Sequence, residues 1–349
     1  MAEKIVLLAH GSGGLLSHEL ITGLFLKHLG NPILNTLEDA SAIPLADDQG
    51  RLIGQAVFST DSYVVKPIFF PGGDIGKLAV CGTVNDLAMR GAVPLYLSAG
   101  VILEEGLPFA DLERVLASMA ATAQTAGVRI VAGDTKVVER GGADKLFINT
   151  AGLGLVPPGV HISASAARPG DVLILSGAIG DHGLAIMTQR EGLRFETPLQ
   201  SDCAPLNSLV RAMLAASPRI HTLRDPTRGG LATALNEIAA QSGVGIEIEE
   251  MAVPIHEPVR AASDLLGLDP FYVANEGKLI ATLEEGDARP VLEAMRAHPY
   301  GREAAIVGRV TEEHPGRVAL RTILGDTPPA RYAGWRATAE DLLVGFPAH

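Results

Sequence analysis

The stretch FSTDSYVVKPIFFPGGDIGKLAVCGTVNDLAMRGAVPLYLS, residues 58–98, decides how the chain is read. β-Branched and aliphatic residues between turn formers predict strands over 53–60 and 93–103, and the run that follows Gly72 and Gly73 predicts a helix over 76–90. Working outward, the same signals predict strands near 4–8, 128–132 and 145–156, and helices near 15–29 and 109–126. Proline, glycine and serine then concentrate in VPPGVHISASAARPGDVLILSG (156–177) ahead of a new apolar run, VLILS. That change reads as a domain boundary near 158–170. Beyond it, helices near 182–190, 205–216, 228–241 and 286–297 alternate with strands near 172–176, 244–249, 278–283 and 303–310. The fold class is therefore mixed α+β or α/β.

At 349 residues the chain exceeds the usual single-domain range of about 100–200, so two domains are expected. Its 40 acidic and 28 basic residues leave a net charge of −12, which argues against a general nucleic-acid surface. Nucleotides remain accessible to an acidic chain through metal ions. Cys81 and Cys203 show no zinc spacing, and the start shows no signal-peptide pattern, so a reducing cytoplasm is expected. No apolar run approaches the roughly 20 residues of a membrane span.

Single acids fall at the rims of apolar segments: Asp39 in LEDASAI, Asp61 in VFSTD, Asp86 in GTVNDLAMRGA, Asp134 in RIVAGD and Asp225 in HTLRD. Gathered carboxylates repel unless a cation joins them, and Mg²⁺ takes oxygen ligands from one or two carboxylates together with substrate phosphates. Several magnesium ions among these aspartates would carry a triphosphate. Taken singly, each aspartate also reads as a turn or helix cap. Lys77 in DIGKLAV and Lys136 in GDTKVV offer positive charge to phosphate oxygens, or are surface lysines. Gly72, Gly73, Gly229 and Gly230 open helices whose first amides favour anions, or simply make turns. The segment AHGSGG (9–14) is rich enough in small residues to cradle a phosphate, yet it lacks the lysine of a P-loop and the GxGxxG spacing.

These residues together resemble the HypE family of hydrogenase expression/formation proteins, the carbamoyl dehydratases. That family lies within the superfamily of aminoimidazole ribonucleotide synthetase, selenophosphate synthetase and thiamine-monophosphate kinase. The resemblance rests on AHGSGG (9–14), residues 58–98, VAGDTKVVERG (131–141), RDPTRGGLATALNEIA (224–239) and FYVANEGKL (271–279), and spans about residues 5–324. It implies a two-domain PurM-like fold: an N-terminal ATP-binding and dimerisation domain (1–158) whose strands pair across a homodimer into a β-barrel, a C-terminal α+β sandwich domain (159–324), and a tail (325–349). ATP with Mg²⁺ is implied in the cleft between the domains. Gly11, Ser12, Gly13 and Gly14 would cover the phosphates, with Lys77, Thr135, Lys136, Gly229 and Gly230 as further phosphate contacts. Asp39, Asp61, Asp86, Asp134 and Asp225 carry over as metal-site residues, and Glu276, Lys136 and Asp86 as the catalytic set. Glu276, in VANEGK, is the candidate base, unless Lys278 pairs with it and makes it structural. His10 is expected to be a hydrogen-bonded loop histidine.

The implied chemistry phosphorylates the oxygen of an S-carboxamide and eliminates phosphate, leaving an S-cyanide for the [NiFe]-hydrogenase iron. The implied partners are the HypF carbamoyltransferase and the HypC–HypD complex, with no nucleic acid and no membrane. In that family a terminal cysteine of a Pro-Arg-Ile-Cys tail is the acceptor, whereas this sequence ends DLLVGFPAH with no cysteine after Cys203. Losing that sulfur is expected to abolish self-modification while leaving ATP binding intact. An altered end, a homologue acting on a separate substrate and a degenerate copy all fit this departure. Cys81 is expected to be a packed small residue, and Cys203 is no better placed as a substitute. A sister synthetase or kinase acting on a free small molecule, and a non-catalytic maturation scaffold, are the alternative readings.

Overall fold

The computed structural model describes residues 6–11, 14–46, 48–190 and 199–322; the tail at 325–349 lies outside them. The strand expected at 4–8 does not form in its described part, where residues 6 and 7 are irregular and Leu8–Gly11 is a short 3₁₀ turn. The helical run expected over 15–29 forms as α1 (Gly14–Leu20) and α2 (Leu26–Leu29), joined by a π-helical turn (Ile21–Phe25) and burying no residue. Next come β1 (Ser41–Ala46), β2 (Leu52–Tyr63), the short ladder β3 (Phe69–Phe70) and β4 (Gly73–Asp74), then α3 (Ile75–Met89). The first lobe continues through β5 (Val93–Glu104), α4 (Phe109–Ala126), β6 (Arg129–Val138) and β7 (Leu146–Leu155).

Helix α3 starts where Asp74 caps it, its Oδ1 accepting from the amides of Gly76 at 2.7 Å and Lys77 at 3.1 Å. Helix α4 stops at Gly127, whose φ of +72° suits a residue without a side chain. The first sheet has the order β1-β2-β7-β5-β6, antiparallel except for β5 and β6, which run parallel on either side of α4. Helices α3 and α4 cover one face, where Val80, Val84, Leu97, Val115 and Ile148 share a core. Along β7 burial alternates with the pleat, and the opposite face leaves Phe58, Tyr96 and Leu153 exposed.

The second lobe contains β8 (Asp171–Leu175), α5 (Asp181–Arg190), α6 (Asn207–Ala216), β9 (Ile220–Arg224), α7 (Gly230–Ser242) and β10 (Gly245–Glu249). It ends with α8 (Glu257–Leu266), β11 (Ile280–Glu284), α9 (Glu285–Ala297), β12 (Ala305–Thr311) and β13 (Val318–Arg321). Its sheet has the order β13-β10-β12-β8-β11-β9. Leu173 and Leu175 pack with Leu231, Leu235 and Ile238 of α7, while Ile174 between them packs with Leu209 and Met213 of α6 and Val291 and Met295 of α9. The sheet is therefore sandwiched between helices.

Helix α3 belongs to both lobes. Thirteen of its fifteen residues are buried, and Ala88 and Met89 at its end join the second lobe's core. Such all-round burial explains why it reads as apolar on every side rather than amphipathic. Among the described residues, no helix is long and apolar enough to cross a membrane.

Candidate active site

On β2, Ser59, Asp61 and Tyr63 alternate onto the face that α3 covers, opposite Gly152, Thr150 and Ile148 of β7. Asp86 meets them from α3, with Ser59 Oγ donating to its Oδ2 at 2.6 Å. Asp39 approaches along the chain that leads into β1, its carbonyl oxygen 3.3 Å from the same hydroxyl. Asp225 enters from the second lobe, immediately after β9, and Glu276 from the loop ahead of β11. Four of the five predicted aspartates and the predicted base thus come together from both lobes.

Their proximity shows in how they hold protons. Burial, opposed by Arg224, raises Asp39 to about 6, and burial together with the Asp39 charge raises Asp225 to about 8. Asp86 is pushed well above the carboxylate range by burial and by Asp225 and Asp39, against the Ser59 hydrogen bond. Glu276 is also held well above it, by burial and then by Cys203, Asp225 and Asp202. Lys278 does not pair with Glu276: its Nζ goes to Asp202 Oδ2 at 3.1 Å, while Asp202 Oδ1 accepts from the Glu276 amide at 3.0 Å. Two arginines supply positive charge that the sequence reading missed. Arg224 Nη2 lies 3.3 Å from Asp39 Oδ1, and Arg228 Nη2 lies 3.9 Å from Asp61 Oδ1. Both sit in the RDPTRGG stretch, where an arginine ending an apolar strand was the available signal.

Asp134, Thr135 and Lys136 are not brought to this cluster within the chain. They lie inside β6 rather than after it, at the sheet edge, with Asp134 and Lys136 paired at 3.7 Å and largely exposed. Lys77 turns its Nζ to the Gly72 carbonyl at 2.8 Å. Gly229 and Gly230 precede and open α7 with φ of +74° and +62°, and a Cβ on Gly230 would fall 2.6 Å from the Phe271 carbonyl oxygen. That glycine lets α7 begin directly against the segment leading to Glu276. Gly11 ends the short 3₁₀ turn and Gly14 begins α1, whereas Ser12 and Gly13 lie outside the described residues. His10 Nδ1 accepts from the Leu7 amide at 2.8 Å, as a loop histidine does. Cys81 and Cys203 are 0% and 2% exposed, so neither presents a thiol to solvent.

The donor set suits magnesium arriving with phosphates. All the grouped acids offer hard carboxylate oxygens, but among the described residues no three of them close into a cage for one ion. Mg²⁺ seldom needs such a cage, because waters and substrate phosphates complete its shell.

Residues 38–156 match the family profile of AIR synthase related protein, N-terminal domain, and residues 168–321 that of its C-terminal domain. The carbamoyl dehydratase HypE of Azotobacter vinelandii is 56% identical over 318 residues, covering 91% of this chain and 92% of that one. The chain belongs to the HypE family. A crystal structure of a HypE–HypF complex superposes with a TM-score of 0.82 at 48% identity, covering 88% of this chain and 97% of that one. A HypE crystallised in complex with ATP gives 0.76 at 52% identity, covering 92% and 96%. Family membership agrees with the resemblance carried by the five stretches, and with two PurM-like units of mixed sheet and helix.

Proposed function

We propose that this protein binds ATP with Mg²⁺ in the groove between a first domain (1–158) and a second (159–324), and uses it to dehydrate an S-carboxamide to an S-cyanide in [NiFe]-hydrogenase maturation. The observation that carries this reading is the convergence of Asp39, Asp61, Asp86, Asp225 and Glu276 from both lobes. Magnesium, when bound, would supply positive charge to neutralise the phosphates. Asp39, Asp61, Asp86 and Asp225 would hold it, and Asp86 is aimed by the Ser59 hydroxyl.

The amide oxygen takes the γ-phosphoryl as ADP leaves, and one N–H proton is lost. Loss of the second N–H proton then expels phosphate and leaves the C≡N triple bond. Glu276 is the proton acceptor: Lys278 pairs with Asp202 instead of with the Glu276 carboxyl, and burial gives that carboxyl the raised basicity that proton abstraction requires. Positioning and charge neutralisation carry most of the acceleration in such transfers. HypF as carbamoyl donor is supported by the HypE–HypF complex of a relative. The HypC–HypD complex is proposed as cyanide acceptor, a second copy of the chain as dimer partner, and the cytoplasm as the compartment.

The test supplies HypF, carbamoyl phosphate and ATP to the protein and to a version carrying a cysteine after His349. ADP formation, and an S-cyanide by mass on the appended thiol, are expected, both lost in Asp86→Ala. If the appended thiol is carbamoylated but never dehydrated, the proposal fails.

A further inference from the structure

Asp39 precedes its strand, so β1 does not aim its carboxylate. Among the described residues the one cation within ion-pair distance is Arg224, from the other lobe, with Nη2 at 3.3 Å from Oδ1. The same nitrogen contacts Glu237 Oε2 on α7, while Nη1 is buried without a hydrogen-bond partner. The neighbouring Glu38 is fastened too: Arg90 Nη1 lies 2.7 Å from its Oε1, Ser163 Oγ donates to that oxygen, and the Ala164 amide donates to Oε2 at 3.0 Å. The Glu38–Asp39 segment of the first lobe is therefore held largely by groups of the second.

We infer that Arg224 is a positioning residue: anchored by Glu237, it reaches across the groove to aim Asp39 at the metal-bound nucleotide, and acts only through Asp39. This rests on the ATP and magnesium reading above. Like charges converging from two lobes push one another outward, and a guanidinium with an anchor on its own lobe counters that push for one chosen carboxylate. Glu237 thereby gains a role although it is not one of the grouped acids.

A double-mutant cycle separates action through Asp39 from general support of the fold. Affinity for a non-hydrolysable ATP analogue is measured in Mg²⁺ and again in EDTA, with circular dichroism to check folding. Arg224→Gln and Asp39→Asn are each expected to weaken binding about ten-fold in Mg²⁺ and to leave the EDTA value unchanged. Adding Arg224→Gln to Asp39→Asn is expected to cost nothing more. Glu237→Gln keeps the arginine and removes its anchor, so it serves if Arg224→Gln does not fold. It is expected to lose about three-fold, again only when Asp39 is intact. Additive losses, or an equal loss in EDTA, overturn the role of Arg224. A wild-type protein indifferent to Mg²⁺, or to Asp39→Asn, overturns the metal reading itself and this inference with it.

Discussion

Glu276 and Asp225 make opposite demands on pH. A base works only when unprotonated, and the Glu276 carboxyl is held well above the ordinary carboxylate range by burial. Single-turnover cyanide formation is therefore expected to rise with pH toward neutrality, and a profile already flat at about pH 5 would exclude this carboxyl as base. Glu276→Gln is expected to keep nucleotide affinity and to slow cyanide formation by about 100-fold or more. The nucleotide-free fold should respond in the other direction. Asp225 and Asp39 are raised in the folded state, to about 8 and about 6, so between the unfolded carboxylate value and those values the native state binds more protons. Stability must then fall as pH rises through that window. A melting temperature about 5 °C higher at about pH 5.5 than at about pH 8 is expected. Asp225→Asn, which has no charge to bury, should shrink the difference and leave the part that Asp39, Asp86 and Glu276 set, and an unchanged slope in that variant would show that Asp225 does not contribute.

Helix α3 ties the two lobes together through one amide as well as through Ala88 and Met89. Asn85, 1% exposed, donates from Nδ2 to the Ala204 carbonyl at 3.1 Å and the Glu276 carbonyl at 3.4 Å, and accepts from the Leu206 amide at 2.8 Å. Asn85→Ala would orphan buried groups of the second lobe and free the backbone that carries Glu276, so a loss of about 2–4 kcal/mol in urea unfolding is expected. A loss within about 0.5 kcal/mol would mean that water replaces the amide. Most of such elements were legible in the sequence. The apolar run of α3 and the clusters of β-branched and aliphatic residues between turn formers in β2 and β5 gave their own boundaries to within a few residues. What failed was short or mixed. Strand β1 carries Pro44, tolerated because β1 pairs on one side only; β13 has four residues; α8 has Pro258 in its first turn and a buried face, Val259, Ala262 and Ser263, that is short and partly polar. The aspartates were legible as residues but not as a set. Residues 39 and 225 meet only because α3 joins the lobes, and no spacing in the sequence encodes that meeting.

At the scale of the whole molecule, the first sheet is covered on one face and, among the described residues, open on the other. Helices α3 and α4 cover the inner face, while β6 at the sheet edge is exposed along nearly its full length, with Ile130, Val131 and Val137 39%, 61% and 67% exposed. An edge strand with free backbone groups and apolar side chains invites pairing with another chain, and monomers normally blunt such edges with charge or bulges. Here Phe58, Tyr96, Ile102 and Leu153 extend the apolar surface from the edge across the open face. A second copy related by a twofold axis would pair edge to edge and bury both faces at once, since a self-complementary surface satisfies each chain with the same residues. Val131→Asp combined with Val137→Lys should then turn a dimer into a monomer in light scattering at micromolar concentration. Far-ultraviolet circular dichroism should stay unchanged, because neither side chain is buried within its own chain. Asp134, Thr135 and Lys136 lie on this same strand, so the variant also reports on catalysis. If those three residues take part only when β6 is paired, nucleotide affinity falls together with the dimer and returns as the protein is concentrated. A monomer that keeps full affinity would place them outside the site, and a variant that remains dimeric would move the interface away from β6.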